Sequence, residues 1–200
     1  MARLILLRHG QSEWNLENRF TGEMDIGLTF QGEQEAKKAG KLLKEFPIDI
    51  AYTSVLKRAI CTLEIILKEI GRQIPVVKSP ALNERNYGKL QGLNKAETAK
   101  KYGPQKVLLW RRSFSIRPPG GESLRDTFER VVPYYQKEIM PQLKVNKMVL
   151  IVAHGNSLRA LIMYLQKLDE QEISKLDVVT GVPLVYDFSP QMELIKIEYL

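Results

Sequence analysis

Leu4-Ile5-Leu6-Leu7-Arg8-His9-Gly10 near the start of the chain and Met148-Val149-Leu150-Ile151-Val152-Ala153-His154-Gly155 near its end repeat one pattern. Each is a short apolar run, then histidine, then glycine. The chain has only two histidines, and both sit in this setting. Runs of this length without alternation suit parallel strands covered on both faces. A glycine lets the backbone turn sharply and approach a ligand closely. Both imidazoles are therefore expected at the carboxyl ends of strands, where open α/β sheets keep their sites. Arg8, directly before His9, points to chemistry on an anion.

Working outward, strands alternate with helices. A helix is expected over about 30–45, with Thr29 as N-cap and Ala36, Ala39, Gly40 and Leu43 on one face. Ile48–Tyr52 reads as a second strand, and 55–70 as a helix carrying Ala59, Leu63, Ile66, Leu67 and Ile70. Ile74–Val77 is a short strand that Pro75 assigns to an edge. Asn94 with Glu97 resembles a capping box, and a helix is expected over 104–112. Ser123 with Asp126 opens a long helix that Pro133 is expected to kink. A helix over about 157–167 follows the second histidine strand, and 182–186 with 194–197 reads as a closing hairpin. The alternation predicts an α/β fold: three layers, α/β/α, with a mostly parallel central sheet. Residues 1–200 read as a single domain with a capping insertion at about 82–122.

Bulk properties narrow the function. A 200-residue chain can bury about 70% of its unfolded surface and needs no staples. The single Cys61 excludes internal disulfides and suits a reducing compartment. No run of eighteen apolar residues occurs, and Met1-Ala2-Arg3 leads straight into a strand, so no membrane partner, no signal peptide and a cytosolic location are expected. Net charge is +7. Between Glu97 and Glu122 there is no acid, yet Lys100, Lys101, Lys106, Arg111, Arg112 and Arg117 lie there. Such a stretch fits a solvated surface, a nucleic-acid face or a phosphate site. No zinc-finger spacing, RNP-like aromatic motif or arginine-rich tail supports a nucleic-acid partner. No carboxylate cluster at metal spacing is seen either, so no metal is expected.

The chemistry-bearing residues form a consistent set. A nucleophilic imidazole at His9 can attack phosphorus in line if Arg8 steadies the equatorial oxygens. Backbone amides after Gly10, the Ser12 hydroxyl and the Asn15 amide are candidate further donors. Arg58, at the start of the helix after the second strand, offers a planar fork of donors. Glu84 is a candidate for proton transfer, and a carboxylate near a polyanion is pushed toward that role. Arg111 and Arg112 can hold a second anionic group, with Lys95 as a further point charge. Arg8, Arg58, Lys95, Arg111 and Arg112 are too many cations for one phosphate monoester; they suit a substrate with two or three anionic ends.

These residues resemble the cofactor-dependent phosphoglycerate mutases of the histidine phosphatase superfamily, over nearly the whole chain. Arg8-His9-Gly10, Arg58, Glu84 and His154 are the superfamily part. More specific to the mutases are 18–22 (NRFTG), Leu82-Asn83-Glu84-Arg85, Tyr87-Gly88, Leu90–Lys95 (LQGLNK), Trp110–Phe114 (WRRSF), Gly121-Glu122-Ser123, His154-Gly155-Asn156-Ser157 and Thr180–Tyr186. The resemblance implies that His9 is the phosphorylated nucleophile, that Arg8, Arg58 and His154 surround the phosphoryl group, and that Glu84 is proton donor and acceptor. It implies substrate contacts for Arg8, His9, Gly10, Gln11, Ser12, Asn15, Thr21, Gly22, Arg58, Glu84, Arg85, Tyr87, Lys95, Arg111, Arg112, Gly155 and Asn156. It also implies 3- and 2-phosphoglycerate as substrates in glycolysis and gluconeogenesis, and 2,3-bisphosphoglycerate as priming phosphoryl donor. Gln11 and Asn86 depart from residues frequent in the mutases. The loop between Phe114 and Gly121 is shorter than in the long mutases, and their mobile tail is lacking, which leaves site closure and assembly as a homo-oligomer open. The rival readings are a phosphomonoesterase that passes the phosphoryl group from His9 to water, and an anion-binding module with inert histidines; the latter would require loss of a catalytic member, and none is missing.

Overall fold

Residues alternate sides along the first strand: Leu4 and Leu6 join one hydrophobic cluster, Ile5 and Leu7 another. That two-sided burial is the physical content of an unbroken apolar run in a sheet covered on both faces. In the computed structural model, which describes residues 2–200, the chain runs β1 (Ala2–Arg8), α1 (Glu13–Leu16), α2 (Phe30–Leu42), β2 (Ile50–Thr53), α3 (Lys57–Ile70), β3 (Val76–Lys78), α4 (Lys95–Tyr102), α5 (Pro104–Arg112), α6 (Leu124–Tyr134), α7 (Met140–Lys144), β4 (Met148–Ala153), α8 (Gly155–Gln166), α9 (Glu170–Lys175), β5 (Leu184–Phe188) and β6 (Leu194–Tyr199). The sheet order is β3-β2-β4-β1-β5-β6. β3, β2, β4 and β1 pair in parallel, and β5 and β6 are joined antiparallel at one edge. Helices α2 and α3 cover one face through Ala39, Ala59, Leu63 and Ile66, which pack on Ile5, Leu7, Leu150 and Val152. Helices α6 and α8 cover the other through Leu124, Val131, Leu158 and Leu161, which pack on Leu4, Leu6, Val149 and Ile151. The result is a three-layer α/β/α fold with a mostly parallel sheet.

Local signals set several boundaries. Thr29 caps α2 by accepting from Gly32 N–H, and the Ser123–Asp126 capping box opens α6. Asn94 caps α4 through the backbone N–H groups of Ala96 and Glu97. β3 does lie at the sheet edge, with Pro75 just before it. Other expectations shift. β2 starts two residues later than Ile48, whose N–H turns back to the Phe46 carbonyl, while Asp49 N–H is the first to reach the neighbouring strand, at the Met148 carbonyl. β3 is displaced likewise, to Val76–Lys78. The chain does not break at Pro133: α6 runs through it to Tyr134 and passes into a π turn at Tyr135–Ile139, where Tyr52 donates its hydroxyl to the Glu138 carbonyl. α8 starts at Gly155, two residues early, so that glycine opens a helix rather than making a free turn. The short helices α1 and α9 had no periodic signal long enough to read.

Residues 82–122 leave the sheet. Leu90, Val107 and Trp110 from this segment pack with Phe20, forming a small third cluster that Tyr87 and Ala99 flank. Phe20 N–H donates to the Leu93 carbonyl, Gly92 N–H to the Phe20 carbonyl and Lys95 N–H to the Asn18 carbonyl. These bonds lock the 18–22 stretch to the segment above the carboxyl ends of β1 and β4.

Candidate active site

β1 and β4 are neighbours in register, with Arg8 opposite Ala153. His9 and His154 therefore leave the sheet side by side. His9 N–H donates to the Ala153 carbonyl at 3.0 Å, and the two ring centroids stand 5.0 Å apart. Both rings are buried.

His9 Nδ1 lies 2.7 Å from the Gly10 carbonyl oxygen. A carbonyl only accepts, so Nδ1 carries the proton and Nε2 carries the lone pair. Arg58 Nε–H donates to that Nε2 at 3.2 Å. Arg58 is the second residue of α3 and is almost fully buried. Its other nitrogens donate to the carbonyls of Met24 at 2.8 Å and Gly22 at 2.7 Å. Burial lowers its pKa to about 10, partly offset by Glu84 and Asp25, so it stays a cation at neutral pH. His9 itself is held well below its ordinary value by burial and by Arg58 and Arg8, against a smaller opposite pull from the Gly10 carbonyl. A neutral imidazole protonated on Nδ1 puts its lone pair on Nε2, as nucleophilic attack needs; here Arg58 Nε–H occupies that lone pair and must turn to the phosphoryl oxygens when phosphorus approaches.

His154 Nε2 is 2.7 Å from Ser54 Oγ. Leu56 N–H donates to that oxygen, and Nε2 is the one acceptor found for the hydroxyl's own proton among the described residues, so hydrogen-bond counting sends the Ser54 proton to Nε2 and puts the ring proton on Nδ1. His154 Nδ1 is buried without a partner, as is Arg8 Nε. Arg8 is anchored by Nη1, which donates to the Val178 carbonyl. A methyl placed on Gly155 would lie 3.6 Å from Arg8 Nε and 3.6 Å from Glu84 Oε2, so this glycine forms the floor between them. His154 is also held well below its ordinary value, by burial first and then Arg58, His9 and Arg8.

Glu84 is buried, and its two oxygens differ. Oε1 accepts from Arg85 N–H at 2.7 Å, Asn156 N–H at 3.1 Å and Asn156 Nδ2–H at 3.1 Å. Oε2 is left on the cavity side, toward Gly155. The peptide that carries Glu84 is held from behind by Arg130 of α6, which donates to the carbonyls of Glu84 and Ala81 and pairs with Glu122.

One cavity collects these groups. Arg8, His9, Asn15, Thr21, Gly22, Arg58, Glu84, Tyr87, Lys95, Arg111, Arg112, Gly155 and Asn156 all line it. His154 stands against His9 just behind the wall. Four expected ligands do not line it. Gly10 donates its N–H to Thr62 Oγ1, and a Cβ there would come 2.1 Å from the Gly32 carbonyl oxygen; it is a contact point between backbones. Gln11 N–H goes to Glu35, and its side chain accepts from Thr29. Ser12 caps α1 with Asn15. Arg85 is fully buried behind the wall, where Nη2 donates to Tyr87 Oη and to the Arg111 carbonyl. Burial acts to raise the Tyr87 hydroxyl, but the Arg85 guanidinium wins and the net direction is down. Lys95 is lowered by burial first, with Arg111 and Arg8 acting the same way and Tyr87 and Glu84 opposing.

Arg159, Asp177 and Val178 line the cavity without having been singled out, and Arg19 and Phe20, part of the NRFTG motif but given no substrate contact, line it too. Arg159 had a legible signal: a charge inside the apolar run Leu158 to Ile162. Asp177 and Val178 lie on an irregular segment with none. Arg112 pairs with Asp177 at 3.1 Å, and its neighbourhood keeps that carboxyl below its usual range despite partial burial. The lining thus holds seven cations, Arg8, Arg19, Arg58, Lys95, Arg111, Arg112 and Arg159, against two carboxylates, Glu84 and Asp177. A cavity so unbalanced calls for a multiply charged anion.

Comparison with known proteins agrees with this chemistry. A 2,3-bisphosphoglycerate-dependent phosphoglycerate mutase of Cytophaga hutchinsonii is 56% identical over 200 residues, covering the whole chain and 94% of that protein. One of Buchnera aphidicola subsp. Cinara cedri is 51% identical over 226 residues, covering 99% of the chain and 98% of that protein. Among solved structures, a mycobacterial glucosyl-3-phosphoglycerate phosphatase complexed with VO3 superposes with a TM-score of 0.80 at 29% identity, covering 94% of this chain and 93% of its own. The family model of the histidine phosphatase superfamily, branch 1, matches residues 4–192. With that match, and with two imidazoles and a ring of guanidinium groups at one sheet edge, the chain belongs to the histidine phosphatase superfamily.

Proposed function

We propose that this protein is a 2,3-bisphosphoglycerate-dependent phosphoglycerate mutase, an isomerase that interconverts 3-phosphoglycerate and 2-phosphoglycerate in glycolysis and gluconeogenesis. The observation that carries the reading is the charge of the cavity in two groups of residues: buried His9 with Arg58 on its Nε2 and Arg8 close by, and half-buried Lys95, Arg111 and Arg112 in the same lining. A glycerate bearing two phosphates and a carboxylate matches both groups. The unpartnered Arg8 Nε and His154 Nδ1 are donors suited to phosphoryl oxygens.

In this reading His9 Nε2 attacks phosphorus of the bisphosphate. The N–P bond forms, the P–O bond breaks, and the departing oxygen takes the proton from Glu84 Oε2. In the return step the carboxylate of Glu84 accepts the hydroxyl proton of a monophosphoglycerate, and that oxygen takes the phosphoryl group from His9. Arg8, Arg58 and His154 balance the charge on the equatorial oxygens throughout, the work that fixed dipoles and cations do best in a dry site. Asn15, Thr21, Gly22, Tyr87, Lys95, Arg111, Arg112 and Asn156 hold the carboxylate and the second phosphate, and the 82–122 segment serves as the cap that limits water.

Interconversion of 3- and 2-phosphoglycerate, assayed with and without added 2,3-bisphosphoglycerate, tests this. Strong dependence on the bisphosphate, with label from it trapped on His9, is the expected result. Turnover that persists in His9→Ala would overturn the route. A second reading, a phosphomonoesterase using the same His9, draws on the superposition with a phosphatase; it predicts phosphate release from small esters without isomerisation.

A further inference from the structure

Arg159 is a buried cation without a carboxylate partner among the described residues. It projects from an otherwise apolar stretch of α8, where Leu158, Ala160, Leu161 and Ile162 are core. Burying a guanidinium with neutral partners is costly, so the position calls for a reason other than stability. Its contacts supply one. Nη2 donates to the Ile173 carbonyl of α9, which anchors the head. Nη1 donates to Asn156 Oδ1 at 3.0 Å.

That second bond decides which way the Asn156 amide faces. With Oδ1 taken by a cation, Nδ2 must turn the other way, where it donates to Glu84 Oε1 at 3.1 Å and to Tyr87 Oη at 3.3 Å. A flipped amide would set its NH2 against the guanidinium and its oxygen against the Glu84 carboxylate, making both contacts repulsive. The amide is the third donor on Oε1. An oxygen accepting three N–H groups has no room for a proton, so a protonated Glu84 carries it on Oε2, the oxygen on the cavity side.

We propose that Arg159 is a positioning residue for proton transfer at Glu84, acting through the Asn156 amide to reserve Oε2 for the substrate oxygen. The inference rests on the reaction proposed above only in that Glu84 moves a proton to or from a substrate oxygen, which both mutase and phosphomonoesterase chemistry require.

Arg159→Met keeps the length of the stem and removes the fork; Arg159→Lys keeps the charge but cannot reach both acceptors in the same fork geometry. Two readouts are needed. The first is the side-chain amide pair of Asn156 in 15N–1H spectra, assigned by its loss in Asn156→Asp. A pair protected from solvent exchange and displaced from the shifts of an exposed amide is expected in the parent protein, and a pair that exchanges faster and moves toward exposed-amide shifts in Arg159→Met. The second is steady-state kinetics of whichever reaction the parent protein performs. We expect kcat to fall about 100-fold in Arg159→Met, the scale for a catalytic group displaced by about 1 Å, with KM within about threefold and partial recovery in Arg159→Lys. A KM raised more than about tenfold at constant kcat would make Arg159 a direct substrate ligand and overturn the proposal. So would an Asn156 amide pair unchanged in Arg159→Met. If Arg159→Met does not fold, the spectrum and kcat of Arg159→Lys decide the same question: values equal to the parent's overturn the proposal. Parent protein that releases phosphate but does not isomerise would remove the mutase reading while leaving the Arg159 test intact on hydrolysis.

Discussion

The two imidazoles are neutral for the same physical reason: both are buried and guanidinium groups are close. This has a consequence for stability. In the unfolded chain both rings titrate near 6.5, whereas in the fold both are held well below that. Above about pH 6.5 neither state binds the extra protons, and stability is full. As pH falls below 6.5 the unfolded chain takes up protons that the folded one refuses, so stability drops through the interval down to the folded values. The lowered carboxyl of Asp177 starts from 3.8 and has no part above pH 5. Urea midpoints measured at pH 7.5 and pH 5.5 should therefore decline, and decline less in His9→Asn. An equal fall in that variant would assign the pH dependence to other groups. At the same scale, Ser54 and the Gly10 carbonyl select the two tautomers. Neither was visible beforehand, since Ser54 lies a hundred positions from His154 and the Gly10 carbonyl is backbone.

At the scale of elements, the loop after β1 is seated on the start of α2 by two glycines facing each other. A Cβ on Gly10 would stand 2.1 Å from the Gly32 carbonyl oxygen, and one on Gly32 would stand 2.1 Å from the Gln11 carbonyl oxygen. Backbone cannot yield as a flexible side chain can. Gly32→Ala, outside the cavity, should cost about 2–4 kcal/mol, read from denaturant unfolding, and should lower activity by shifting the loop that starts at His9. A cost below about 0.5 kcal/mol would show that the contact has slack. Gly10 was legible as a special position, but its meaning was not: it makes room for α2 rather than for a ligand. Gln11 and Ser12 teach the same lesson. Their backbone amides were candidates for phosphate, yet Gln11 N–H goes to Glu35 and Ser12 N–H to Asn15.

Over the whole molecule, charge is concentrated where it acts. The chain carries +7, and the cavity lining alone has five more cations than carboxylates. Like charges at close range oppose folding, so an anion that fills the cavity should stabilise the protein strongly. At a hundred times its dissociation constant, 2,3-bisphosphoglycerate is expected to add about 2.7 kcal/mol. For a domain of this size that is about 5–10 °C in Tm by scanning calorimetry. The shift at fixed ligand concentration should shrink in 0.5 M NaCl, since Lys95, Arg111 and Arg112 are partly exposed and screened. A Tm that ignores the ligand, or a shift that ignores salt, would contradict a site built of these two groups.

Periodicity and spacing were enough for the layer architecture, because a run such as Val149-Leu150-Ile151-Val152 has no stable home except between two helical layers. They were enough, too, for the pairing of His9 with His154, because identical strand-His-Gly phrases put both rings at the same sheet edge. Arg58, Glu84, Lys95 and the Arg111-Arg112 pair could be named from residue type and family resemblance. What decided their roles was contact between residues far apart in the chain. Arg58 reaches Nε2 of His9, Glu84 has one oxygen saturated by donors that include Asn156, Arg85 turns to the Arg111 carbonyl, and Arg159 is anchored on the Ile173 carbonyl. Local sequence encodes propensity and burial pattern, but the direction of a hydrogen bond depends on which distant backbone or side chain the fold delivers beside it.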